Sequence, residues 1–271
     1  MEYPLVVGNW KMNLEFGEAM ILGGQVSRNA EYIKHIEIVI APPSIFIYPL
    51  FERLKIKTNN FHLALQNIST DVSGEFTGEV SPAMAKKVCD YTIIGHSERR
   101  RLFHETDEDV NLKIKNALKA GLKVIFCVGE QERYHLEDHY TVELKRMLKT
   151  GGIVSQAKLA LKGISKSDYS KISIAYEPLW AIGTGNASTG VYAAAISYIL
   201  RNELAGEFGA EAKQIRILYG GSVNVDDAKE FVLQPNIDGL LIGGASLKIK
   251  DFTEICRLTS ELKSGLPASE D

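Results

Sequence analysis

A chain of 271 residues, 45% hydrophobic and 24% charged, can bury a large core and has the composition of one barrel-sized domain or two small ones. A net charge of −3 gives no electrostatic reason to expect nucleic acid or an anionic membrane as partner, so any bound anion must be held by a local site. Three cysteines, Cys89, Cys127 and Cys256, are too few and too scattered for a disulfide framework or a CxxC metal or redox pair, and read as reduced thiols in the cytoplasm.

Residues 1–12 carry no basic stretch ahead of their apolar run and no small-residue cleavage site, so no signal peptide is expected. No apolar run approaches the roughly 20 residues of a membrane span. The sequons at Asn67 and Asn186 are then chance matches.

In chain order, short apolar and β-branched runs recur at Leu5–Gly8, Ile36–Ala41, Phe61–Leu65, Thr92–Gly95, Val124–Val128, Ile172–Tyr176, Ile215–Tyr219 and Leu240–Gly243. Each predicts a buried strand. Between them lie helix-start signals: Ser81 then Pro82, Thr106 followed by acidic residues, and Asn224 followed by Asp226 and Asp227. Near-continuous apolar strands alternating with helices predict an α/β fold with a parallel sheet, and the number of units in this length fits a closed (β/α)8 barrel. A single domain over 1–263 with a tail over 264–271 is expected.

In such barrels chemistry collects in the loops after the strands. Asn9, Trp10 and Lys11 follow the first run, Gln66 and Asn67 the third, and His96, Ser97, Glu98 and Arg99 the fourth. Gly129 and Glu130 follow the fifth. Glu177 ends the sixth, Gly220, Gly221 and Ser222 the seventh, and Gly243, Gly244, Ala245 and Ser246 the eighth. Singly, a His or Lys at a strand end is more often a loop residue or a solvated charge than a catalyst. Together they imply convergence on one mouth, with the last two glycine loops where barrels commonly bind phosphate.

Competing motifs fail. Gly183-Thr184-Gly185 has Ser188 where a dinucleotide fingerprint needs its third glycine, and no strand runs directly into it. Gly221-Ser222 lacks the flanking glycine of a nucleophile elbow. His135 and His139 stand at i, i+4 but match no zinc motif, and read as a solvated helix face. No metal and no cofactor is expected.

Five stretches, Gly8 to Asn13, Thr92 to Arg100, Ala175 to Gly185, Tyr219 to Val223 and Ile242 to Ser246, resemble the triosephosphate isomerase family, in order and from about residue 4 to 262. The resemblance implies a triose phosphate substrate and a proton transfer through an enediolate. It assigns Glu177 as catalytic base, His96 as electrophile, and Lys11 as the cation holding substrate and developing charge. Asn9 is implied as a further donor, and Glu98 as a supporting carboxylate near Lys11 and His96. Phosphate binding is implied at Gly183, Ser222, Gly243 and Gly244. A closing lid is implied from Pro178 to about Ala187, with Trp180, Ile182 and Thr184 within it.

The resemblance also implies a homodimer built on the loop of residues 68–82, inserted beside the partner's active site near Asn13 and Lys11. Departures from the family's pattern are Asn186 for a frequent Lys, Glu75 for a usual Ala, and His104 for a common Gly. The segment from Gln131 to Lys171 is about ten residues longer than expected for the connection it makes. Another phosphosugar barrel enzyme would share the two glycine loops but not the set Lys11, His96 and Glu177. A non-catalytic phosphometabolite-binding protein would need neither base nor lid.

Overall fold

The computed structural model describes residues 3–54, 58–181 and 188–264, with only the backbone of residues 137–139. Eight parallel strands close into a barrel in sequential order: β1 (Leu5–Asn9), β2 (Glu37–Ala41), β3 (Phe61–Leu65), β4 (Tyr91–Ile94), β5 (Lys123–Val128), β6 (Ile172–Tyr176), β7 (Arg216–Tyr219) and β8 (Gly239–Ile242). Around them run α1 (Phe16–Ala30), α2 (Ser44–Leu54), α3 (Pro82–Lys86), α4 (Ser97–Leu102), α5 (Asp107–Ala120), α6 (Leu136–Leu148), α7 (Ile153–Leu161), α8 (Gly190–Phe208), α9 (Val225–Val232) and α10 (Ile249–Ser264).

The helix starts read from sequence lie where their side chains can cap. Ser81 Oγ accepts from the Met84 N–H with Pro82 in the first turn. Thr106 and Asp109 form a reciprocal capping box on α5, and Asn224 and Asp227 another on α9. These bonds satisfy donors that the helix itself leaves open. After β5 the long connection divides into α6, α7 and a 3-10 turn at Lys166–Lys171. The helical part of α10 reaches Ser264, one residue past the expected domain end, and the rest of the tail lies outside the described residues.

Side chains alternate along each strand. Leu5, Val7, Val39, Ala64, Ile93, Ile125, Cys127, Ala175, Leu218 and Leu241 fill the barrel interior. The intervening residues, such as Val6, Ile38, Leu63, Phe126 and Ile174, pack against the helices. The same alternation fixes both ends. One step above the interior set stand Asn9, Gln66, Gly95, Gly129, Glu177, Gly220 and Gly243; one step below stand Glu37, Lys123 and Arg216, level with the hydroxyl of the inward Tyr91.

The lower layer is an ionic plug. Glu37 Oε1 accepts from Lys123 Nζ at 2.7 Å and Tyr91 OH at 3.0 Å, while its Oε2 bonds Arg216. Burial works against the charged form of Glu37, but Arg216 and Lys123 outweigh it and hold the pKa at about 2. A carboxylate depressed from 4.5 to about 2 contributes stability that is complete above pH 4.5 and lost as pH falls towards 2. Glu37→Gln is therefore expected to destabilise the barrel at neutral pH by about 3 kcal/mol and to flatten this acid limb. Urea unfolding of both proteins across that range checks it; parallel stability curves would contradict it.

Candidate active site

The upper layer forms the site. Glu177 follows Ala175 on the inward face of β6 and is 1% exposed. Its neighbours on β5 and β7 are glycines, and the reason is steric. A Cβ at Gly129 would lie 2.0 Å from the Glu177 carbonyl oxygen, and one at Gly220 would lie 3.1 Å from Glu177 Cγ. Gly129 thus lets the Glu177 main chain approach β5, and Gly220 leaves room for the Glu177 side chain.

His96 owes its place to a turn. Gly95 takes φ +69, which reverses the chain from β4 into α4, and a Cβ there would strike Val110. His96 then becomes the N-cap of α4, its Nδ1 accepting from the Glu98 N–H at 3.2 Å. A ring nitrogen that accepts carries no proton, so the imidazole is neutral with its N–H at Nε2. That Nε2 lies 3.0 Å from Glu177 Oε1, while Glu177 Oε2 accepts from the Ser97 N–H at 2.9 Å. In this arrangement both oxygens of Glu177 face donors of the β4 loop.

Lys11 adopts φ +52, a left-handed conformation that costs a non-glycine residue about 1–2 kcal/mol. It is held there from two sides. Its N–H bonds Asn9 Oδ1 at 3.0 Å, and its carbonyl accepts from Gln66 Nε2 at 2.8 Å. The strained turn aims Lys11 Nζ at Glu98 Oε1, 2.8 Å away. Burial disfavours a charged Glu98, but the Lys11 hydrogen bond and surrounding positive charge prevail and lower its pKa. Glu98 Oε2 is also 3.6 Å from His96 Nδ1, so it stands between the two.

Asn9, Lys11 and His96 line a cavity of about 260 Å³ together with Gly221, Ser222, Gly243 and Gly244. The cation and the glycine loops after β7 and β8 thus share one space. Gly243 lies 3.6 Å, measured from where a Cβ would stand, from Lys11 Cε. Glu177 does not line it, because its carboxylate is turned towards Ser97 and His96. Among the sequence-derived site residues, Pro178 and Trp180 leave β6 beside the mouth, whereas Ile182, Gly183 and Thr184 lie outside the described residues.

One buried group at the site carried only a weak sequence signal, its place after β5. Glu130 is 4% exposed, and its Oε1 accepts from Trp180 Nε1 at 2.7 Å, Tyr176 OH at 2.8 Å and Tyr192 OH at 3.2 Å. Its Oε2 has no partner among the described residues. Burial prevails over these donors and pushes the carboxyl up to about 7. Elsewhere, no group of three or more His, Cys, Asp or Glu among the described residues is arranged to hold a metal.

A buried carboxylate, an imidazole, an ammonium and two glycine loops on one mouth are the groups expected of a barrel enzyme that moves protons beside a carbonyl in a small phosphorylated substrate. Comparison with known proteins makes this particular. The chain matches the family described as Triosephosphate isomerase over residues 4–259. It is 44% identical over 266 residues to the triosephosphate isomerase of Dehalococcoides mccartyi, covering 97% of this chain and 99% of that protein. To that of Chlorobium phaeobacteroides it is 42% identical over 261 residues, and to that of Carboxydothermus hydrogenoformans 40% over 260, each covering 95% of this chain and 99% of the relative. The chain belongs to the triosephosphate isomerase family.

Proposed function

We propose that this protein interconverts dihydroxyacetone phosphate and D-glyceraldehyde 3-phosphate, with Glu177 as the base. The observation that carries the reading is a nearly fully buried carboxylate 3.0 Å from His96 Nε2, beside a cavity lined by Lys11. Glu177 leaves Ser97 and His96 when substrate enters and takes the proton from C1. The C2 oxygen then gains charge, and His96 Nε2–H and Lys11 stabilise it. The hydroxyl proton passes from O1 to O2 by way of His96, and Glu177 returns its proton to C2, leaving an aldehyde at C1. Asn9 adds a donor at the oxygens, Glu98 orients Lys11, and Ser222, Gly243 and Gly244 receive the phosphate. Gly183 and a lid over Pro178, Trp180, Ile182 and Thr184 complete the assignment. Conversion of dihydroxyacetone phosphate, followed in a coupled assay, tests it; no turnover with this substrate would remove it.

A homodimer is part of the same proposal, and what supports it is where apolar surface remains. Met12, Ile45, Phe76, Met84, Leu102 and Phe103 are all exposed. These six follow β1, β2, β3 and β4, four adjacent strands, and so lie on one side of the barrel, while other exposed apolar residues such as Tyr140, Val191 and Tyr198 lie on α6 and α8. The loop after β3 holds its own shape: the Ser69 N–H bonds the Val80 carbonyl at 2.9 Å, and Asn116 Nδ2 bonds the Thr70 carbonyl at 2.6 Å. A preformed loop bearing an exposed Phe76 enters an interface at low ordering cost. Sedimentation at micromolar concentration is expected to give a dimer, and Phe76→Glu to shift it towards monomer. A fully active wild-type monomer would contradict the proposal. The buried free thiols Cys89, Cys127 and Cys256 fit a cytoplasmic setting.

A further inference from the structure

Glu130 brackets the proposed base. Tyr176 directly precedes Glu177 and Trp180 follows it by three positions, and both donate to the same Glu130 oxygen, at 2.8 and 2.7 Å. The main chain adds a third tie, from the Leu179 N–H to the Glu130 carbonyl at 3.1 Å. The end of β6 is therefore fixed on both sides of Glu177 by one residue of the neighbouring strand's loop.

The remaining donor on that oxygen comes from a different part of the fold. Tyr192, in the first turn of α8, gives its hydroxyl proton to Glu130 Oε1 at 3.2 Å and accepts the Tyr134 N–H at 3.0 Å. Its ring meets Trp180 edge-on at 5.5 Å, and the Arg133 guanidinium covers both rings, 5.0 Å from Tyr192 and 5.6 Å from Trp180. The start of the long segment after β5 and the start of α8 thus meet on a single carboxylate. Neither Tyr192 nor Glu130 lines the cavity, so neither is placed to touch substrate.

We propose that Tyr192 is a positioning residue for the proton transfer: through the shared oxygen of Glu130 it holds residues 176–180, and with them the Glu177 carboxylate, at the working distance. This rests on Glu177 being the base. Without the hydroxyl, two side-chain donors remain on Glu130 Oε1 and the Tyr134 N–H loses its acceptor, so Glu130 and the turn at 131–135 settle in new places. A small shift of the base weakens an interaction realised in the transition state far more than it weakens ground-state binding.

Tyr192→Phe keeps the ring and its contacts with Trp180 and Arg133. It is expected to lower kcat about tenfold with KM within about twofold, and to leave the affinity for unreactive sn-glycerol 3-phosphate unchanged. Combined with Trp180→Phe, the loss should be smaller than the product of the two single losses, since both side chains act on one oxygen. A wild-type kcat in Tyr192→Phe, or a loss confined to KM, overturns the proposal. If Tyr192→Phe does not fold, Glu130→Gln replaces it, with the same split expected and a wild-type kcat again overturning the idea. Glu177→Gln is measured alongside. Normal turnover there would remove the base assignment itself, whereas an inactive Glu177→Gln beside a fully active Tyr192→Phe would remove this inference alone.

Discussion

Glu177→Gln is expected to lower turnover of triose phosphate by at least about 10²-fold, the low end of what a positioned general base contributes. The substitution keeps the shape of a side chain that has almost no room to change. It is 1% exposed and packs against Gly220, where a Cβ would lie 3.1 Å from Glu177 Cγ. The amide oxygen can still accept from the Ser97 N–H, while its NH2 meets His96 Nε2 across 3.0 Å and that one resting contact is lost. What disappears is the capacity to take a proton from carbon. KM should change little, because the base contributes to the transition state rather than to holding the phosphate. Steady-state kinetics in both directions measure this, with thermal melting as a check on folding. Turnover near the wild-type rate would exclude Glu177 as base.

Legibility from sequence followed physical type. Strands were readable because barrel strands are apolar on both faces, so each is a short continuous run bounded by polar residues. Their lower ends were less so. β4 and β5 begin one residue earlier than their apolar runs suggest, at Tyr91 and Lys123, and β7 one residue later, at Arg216. These are members of the ionic plug, and a charged residue at a strand start reads as a flank until its partners are known. Glu37 pairs with Lys123 and Arg216 across separations of 86 and 179 residues, which no local pattern carries.

The upper layer was legible for a different reason. The residues proposed for the chemistry sit directly after strands, in motifs long enough to identify the family. Glu130 occupied such a position too, yet its role arises from donors 46, 50 and 62 residues away and could not be read beforehand. The pair His135 and His139 drew notice for its spacing; His135 stands at the N-cap of α6 without a side-chain cap bond, and the side chain of His139 lies outside the described residues.

The other large effect is expected at Lys11. Its left-handed backbone, fixed by Asn9 and Gln66, is strain held at a residue whose ammonium faces the cavity. Strain of this kind is retained where the direction of the side chain matters. If Lys11 only attracted the phosphate dianion, Lys11→Met would raise KM and leave kcat alone. A cation fixed by Glu98 at 2.8 Å, lining the same cavity as His96, is also placed to meet the oxygen that gains charge as the enediolate forms. Both quantities should then suffer, with kcat down about 10²-fold or more, the scale of losing one preorganised charge-stabilising donor, and kcat/KM down further. The Glu98 pKa, lowered in part by its bond to Lys11, should rise in the variant. The affinity of sn-glycerol 3-phosphate separates the two contributions, because it carries the phosphate but develops no charge at carbon. An unchanged kcat with weakened binding of this compound would make Lys11 a phosphate anchor and nothing more. A fall in kcat larger than the fall in its affinity would place the ammonium at the reacting oxygens.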